Sequence, residues 1–125
     1  MKLIFIYNAE KGPLNSFLDF LHKTLSPNTY SCNLCAITHT FKKRKKWRKF
    51  TENFHLKIEF LYKNDLKKNN LLIFKNELPC CLIEKGNKQT VLINRNDINT
   101  LRSEDELIEL IKLKVNVWPV LLFRE

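Results

Sequence analysis

The chain has 125 residues, 44% of them apolar and nine of them Phe, which is enough for one domain with a hydrophobic core of its own. Two Gly and four Pro exclude a collagen-like, loop-rich or disordered chain. The formal charge is +9, yet seven cations fall in the single run KKRKKWRK, Lys42 to Lys49, and the remainder is close to neutral.

In chain order, a single Lys precedes a five-residue apolar run in MKLIFIY, shorter than a secretory h-region, and no small-residue cleavage site follows. With no secretory signal, a cytoplasmic location is expected. The four Cys are then expected as thiols, and any disulfide as a functional bond rather than a staple. Lys2 to Tyr7 predicts a short strand that is apolar on both faces, hence central. Gly12 and Pro13 punctuate the turn that follows. Leu14, Phe17, Leu18, Leu21 and Leu25 then recur at helical spacing until Ser26-Pro27 stops the helix. A second helical region is expected from near Ser31 to Phe54, broken near Thr38–Thr40.

His55 to Tyr62 (HLKIEFLY) alternates as a strand. Leu71 to Phe74 (LLIF) fits a strand or a helical turn equally. The segment ELPCCLIEKGNKQTVLI predicts a hairpin, with strands Cys80 to Glu84 and Gln89 to Ile93 and a turn at Lys85-Gly86-Asn87. Ser103-x-x-Glu106 is a capping box at the start of the last helix. The apolar extension 115–125, with VNVWPVLLF split by Pro119, fits an added edge strand or a contact with a second subunit. No run approaches the roughly 20 apolar residues of a membrane span, so no membrane partner is expected.

This order is β-α-β followed by a hairpin and a packing helix, within a single domain, 1–125. It resembles the thioredoxin-like superfamily, which implies an α/β fold with a four-stranded mixed sheet flanked by helices. The resemblance makes Pro79, in ELPCC, the suspected cis-proline beside the usual active site. Where that superfamily keeps Cys-Gly-Pro-Cys, this chain has Lys11, Gly12, Pro13 and Leu14, so the bend is kept without either sulfur. The first half is also similar to a family of small bacterial proteins. The residues that carry this are Tyr7-Asn8-Ala9, Gly12, His22-Lys23, Ser26-Pro27, Tyr30, Cys32, Leu34-Cys35-Ala36, Thr38 and Trp47. That likeness bears on the fold and brings no activity with it.

TYSCNLCAITHT holds the strongest chemical candidate, the pair Cys32 and Cys35. At a helix start the first sulfur is expected to be the exposed nucleophile and the second the resolving thiol. This reading makes the chain a thiol-disulfide or redox-sensing protein whose partner is a protein or small-molecule thiol. Two other readings stay open: two small apolar residues on a buried turn, or part of a zinc site. Cys32, Cys35 and His39 offer three ligands, and Cys80, Cys81 or His55 is needed as a fourth. No other cofactor is expected.

Lys42, Lys43, Arg44, Lys45, Lys46, Arg48 and Lys49 are the candidate polyanion contacts, nucleic acid included, with Trp47 available for stacking. On that reading the chain is a non-enzymatic binding or adaptor protein using the fold as a scaffold, with or without zinc. Cys80 and Cys81 fit a core strand, one on each face, and His22 fits a half-buried helix histidine. Walker, G-x-G-x-x-G and H-E-x-x-H motifs are absent, so the sequence names no enzyme class.

Overall fold

The computed structural model of the chain describes residues 1–11, 32–38 and 44–122. The helix expected over Leu14–Leu25, the Gly12-Pro13-Leu14 bend, His22, His39, Lys42 and Lys43 lie outside them. In the described residues the elements run β1 (Lys2–Ile6), α1 (Asn33–Thr38), α2 (Lys45–Asn53), β2 (Lys57–Leu61), β3 (Cys80–Lys85), β4 (Lys88–Ile93), α3 (Arg95–Asn99) and α4 (Glu104–Leu122). The fold is thus α/β; the described residues hold four helices and one four-stranded mixed sheet in the order β2-β1-β3-β4. β1 runs parallel to β2 and antiparallel to β3, and β3 and β4 form the hairpin.

β1 is central because nearly every residue of KLIFI is apolar, and the alternation of a strand sends those residues into two cores. Leu3, Phe5 and Tyr7 join Cys81 and Ile83 beneath α1, α2 and α4, in a core that includes Leu34, Trp47, Leu107 and Ile111. Ile4 and Ile6 face the other way, with Leu61, Leu66, Leu71, Leu78, Cys80 and Leu82. The register Phe5↔Phe60 and Phe5↔Cys81 carries the first core across three strands. Trp47 stands edge-on to Phe5, with ring centroids 5.3 Å apart and an 89° interplanar angle, the geometry the ring quadrupoles favour.

The hairpin turns on Gly86, whose φ of +62° is a left-handed conformation that a side chain would strain. LLIF resolves into a single 3-10 turn, Leu72–Phe74, inside the long β2–β3 connection. That connection starts where the Asp65 carboxylate accepts the Tyr62 N–H at 3.0 Å. It ends at the Leu78–Pro79 peptide, which is cis.

The described part of the extension after Lys114 is helix rather than the expected edge strand. α4 continues through it to Leu122, and Trp118 is buried in the same core as Leu107 and Ile111. The spacing 107, 111, 118 is helical, and the burial of Trp118 gives this stretch an inner face along the sheet. At the start of α4, Ser103 Oγ accepts the Glu106 N–H at 3.2 Å, while Glu106 Oε1 accepts from the Arg102 N–H at 2.8 Å. The reciprocal half of the capping box is therefore displaced by one residue.

The Cys32–Cys35 pair as the candidate functional site

α1 is short and begins at Asn33, so Cys32 stands at the cap position and Cys35 one turn later. The two sulfurs are bonded, with Cα atoms 5.3 Å apart, inside the range of about 4.4–6.8 Å that a disulfide spans. The Cys35 N–H also points at Cys32 Sγ, 3.3 Å away. Cys32 thus does the job of a capping side chain with sulfur in place of oxygen.

Both residues belong to the core beneath the helices. Cys32 is 1% exposed and Cys35 8%, so both are buried and Cys35, not Cys32, is the more exposed residue, the reverse of the sequence expectation. Asn33 and Arg44 hold the helix that carries them. The Asn33 side chain donates to Ile98 O at 2.7 Å and Leu101 O at 3.0 Å, tying the first turn to α3 and the segment after it. At the other end, Arg44 donates its backbone N–H to Thr38 O at 2.7 Å and its guanidinium to Ala36 O at 3.3 Å. Sequence reading missed both anchors. The one signal available was that Asn and Arg flank a short apolar turn whose terminal backbone groups need partners.

Cys80 and Cys81 are free thiols on opposite faces of β3, each fully buried. Burial, with the nearby Glu77 charge adding to it, pushes the Cys80 thiol up to about 12. Cys81 is raised well above the ordinary range, by burial first and then by Cys80. Both stay protonated at neutral pH, which makes them structural rather than reactive.

Zinc gains little from this geometry. Among the described residues no three His, Cys, Asp or Glu side chains converge on a metal position. Cys80 faces the opposite core from Cys32 and Cys35. His55 is exposed beyond the end of α2, and His39 lies outside the described residues.

The basic run also looks different once folded. Trp47 is fully buried, so the aromatic expected for stacking is a core residue. Arg44 is engaged with α1, and Lys46 pairs with Asp105 at 3.2 Å. All five described cations of the run are exposed, and Lys45, Arg48 and Lys49 make no ion pair among the described residues.

Tyr7 closes the floor of the region at the end of β1. Burial lifts its phenol well above the ordinary range, Tyr62 adds to this, and the neighbouring Thr38 and Trp47 side chains oppose it. No protein family, curated protein or solved structure matched the chain when compared with it.

Proposed function

We propose that this is a thioredoxin-like domain in which Cys32 and Cys35 form a redox-sensing dithiol that exchanges with a low-molecular-weight thiol and its disulfide. The observation that carries the reading is the Cys32–Cys35 bond itself, on a turn anchored to the sheet core. The superfamily assignment draws support from the sheet order β2-β1-β3-β4, with one parallel and two antiparallel pairings, and from the cis Leu78–Pro79 peptide at the entry to β3.

Burial selects the partner. A cysteine that is only 8% exposed as a residue admits a small thiol or disulfide far more readily than the surface of a protein substrate. Starting from the dithiol, the Cys35 thiolate attacks one sulfur of a small disulfide, forming a mixed disulfide and expelling one small thiolate. The Cys32 thiolate then attacks Cys35 Sγ and expels the second. Two electrons pass to the small disulfide, which leaves as two thiols, and the two protons of Cys32 and Cys35 go to those thiols or to solvent.

The adaptor reading that uses the basic helix has less behind it, because Trp47 is buried and Arg44 and Lys46 already have partners at the surface of the fold.

The test is equilibration of the native protein across buffers of glutathione and its disulfide, acid quenching, alkylation in denaturant and intact mass. The expected result is a single transition between species that differ by two alkyl groups, abolished in Cys32→Ser and Cys35→Ser. Stable one-glutathione adducts in place of the paired transition overturn the reading, as does a dithiol that never oxidises.

A further inference from the structure

The β2–β3 connection carries a feature that the cysteine site does not use. Leu72 is 48% exposed and Ile73 82%, two adjacent branched aliphatic side chains directed into solvent. Isolated exposed apolar residues are ordinary, but an adjacent pair on a fixed turn is not a product of chain fraying.

The turn is fixed from both sides. Leu71 N–H bonds Leu66 O at 2.9 Å, Phe74 N–H bonds Leu71 O at 3.0 Å and Glu77 N–H bonds Phe74 O at 2.9 Å. Leu66, Leu71 and Leu78 are buried in the second core, so the loop is held by its own apolar roots while its tip remains uncovered.

Cations flank that tip. Lys67 and Lys68 precede it by one turn and Lys75 follows it, all exposed. Lys68 faces Asp65 at 3.2 Å, whereas Lys67 and Lys75 make no ion pair among the described residues. Glu77 is the one exposed acid of the loop.

We infer that this loop docks on an anionic lipid surface, with Leu72 and Ile73 entering the acyl boundary and Lys67 and Lys75 meeting the headgroup phosphates. The composition chooses this occupant over a protein partner. Lysine is depleted in protein–protein interfaces, where aromatic residues and Arg are enriched. Long Lys side chains flanking an aliphatic tip suit the headgroup layer, because their stems lie along apolar surface while the charge reaches water and phosphate. The contact requires no membrane-spanning helix, and none of the described helices is long and apolar enough to be one. It departs from the sequence expectation of no membrane partner, which rested on spanning length alone.

The test is co-sedimentation of the full-length protein with phosphatidylcholine vesicles that contain about one-third phosphatidylglycerol, beside pure phosphatidylcholine vesicles. Binding is expected only to the anionic vesicles, weaker in high salt, and lowered about tenfold or more in the double variant Leu72→Ser/Ile73→Ser. Lys67→Glu/Lys75→Glu is expected to lose binding with an unchanged circular dichroism spectrum and melting temperature. Absent binding, equal binding to neutral vesicles, or full binding by the folded aliphatic double variant overturns the inference. A concentration-dependent dimer that the aliphatic double variant abolishes also overturns it, by assigning the tip to a second copy of the chain.

Discussion

The Glu104 carboxylate, at the start of α4, accepts the backbone N–H of Trp47 in the first turn of α2 at 3.2 Å. Its neighbour Asp105 pairs with Lys46. α2 opens on cations, which its own dipole disfavours at a helix N-terminus, and has no acid in its first turn. The acids that compensate arrive from another helix, more than fifty residues on. Glu104→Ala should cost about 1–2 kcal/mol in urea unfolding, since it removes an acceptor from a partly buried N–H and a charge from a cationic turn. Glu104→Gln keeps the acceptor and should fall between wild type and Ala, with its deficit shrinking in high salt. A Gln variant no better than Ala would remove the hydrogen bond from this explanation.

Asn33 anchors the turn that bears both cysteines through its two bonds to Ile98 O and Leu101 O. Asn33→Ala should cost about 1–2 kcal/mol, and Asn33→Asp more, because a carboxylate would face two carbonyl oxygens with no proton to offer. Denaturant titration of the oxidised protein checks the order. An Asp variant as stable as wild type would mean that α1 is not held there.

Asp65 gives a pH dependence in acid. Its carboxylate is held below the ordinary range chiefly by the Tyr62 N–H, with Lys68 and Lys11 assisting against the cost of burial. A carboxylate lowered in the folded state contributes stability that is fully present above the unfolded value of 3.8. That contribution is lost as pH falls through the folded value. Asp65→Ala should therefore cost about 1–2 kcal/mol at neutral pH, and the gap to wild type should close in strong acid. A gap that stays constant from pH 7 into strong acid would contradict the assignment.

Alkaline behaviour has the opposite sign. Cys80 is pushed up to about 12 by burial, against an ordinary value of 9.0, and Cys81 and Tyr7 are raised as well. Each binds its proton more tightly folded than unfolded, so the stability they contribute is complete below about pH 9 and falls as pH rises through the folded values. Cys80→Ala should flatten the decline between roughly pH 9 and 11, by up to about 1.4 kcal/mol per pH unit. An unaltered slope would mean that Cys80 titrates alike in both states.

The strands were the legible part of the fold. KLIFIY and HLKIEFLY carry apolar runs or alternation, and ELPCCLIEKGNKQTVLI carries its own turn at Gly86, so all four strands fall within a residue or two of where the pattern put them. Shorter elements were not legible. LLIF is too brief for any period to show, and its 3-10 turn is fixed by Leu71 packing into the second core. α3 was missed, although Asn94 Oδ1 accepts the Asp97 N–H at 2.8 Å, an Asn cap that the sequence carried directly after the hairpin. In the tail, Pro119 masked a helical spacing that Leu107, Ile111 and Trp118 otherwise spell out. At the site, Cys-x-x-Cys allowed a disulfide beside two other readings and showed nothing of its depth. Exposure depends on Leu34, Ile37 and the sheet beneath them, which a local motif does not encode.

A thiol count tests the central claim most directly. The protein is purified without reductant, denatured, and titrated with and without prior reduction, with zinc measured on the same sample. The account predicts two accessible thiols, Cys80 and Cys81, before reduction, two more after it, a Cys32–Cys35 disulfide peptide on digestion, and no bound zinc. Four thiols from the unreduced protein even after exposure to a small disulfide, or one zinc per chain, would contradict it.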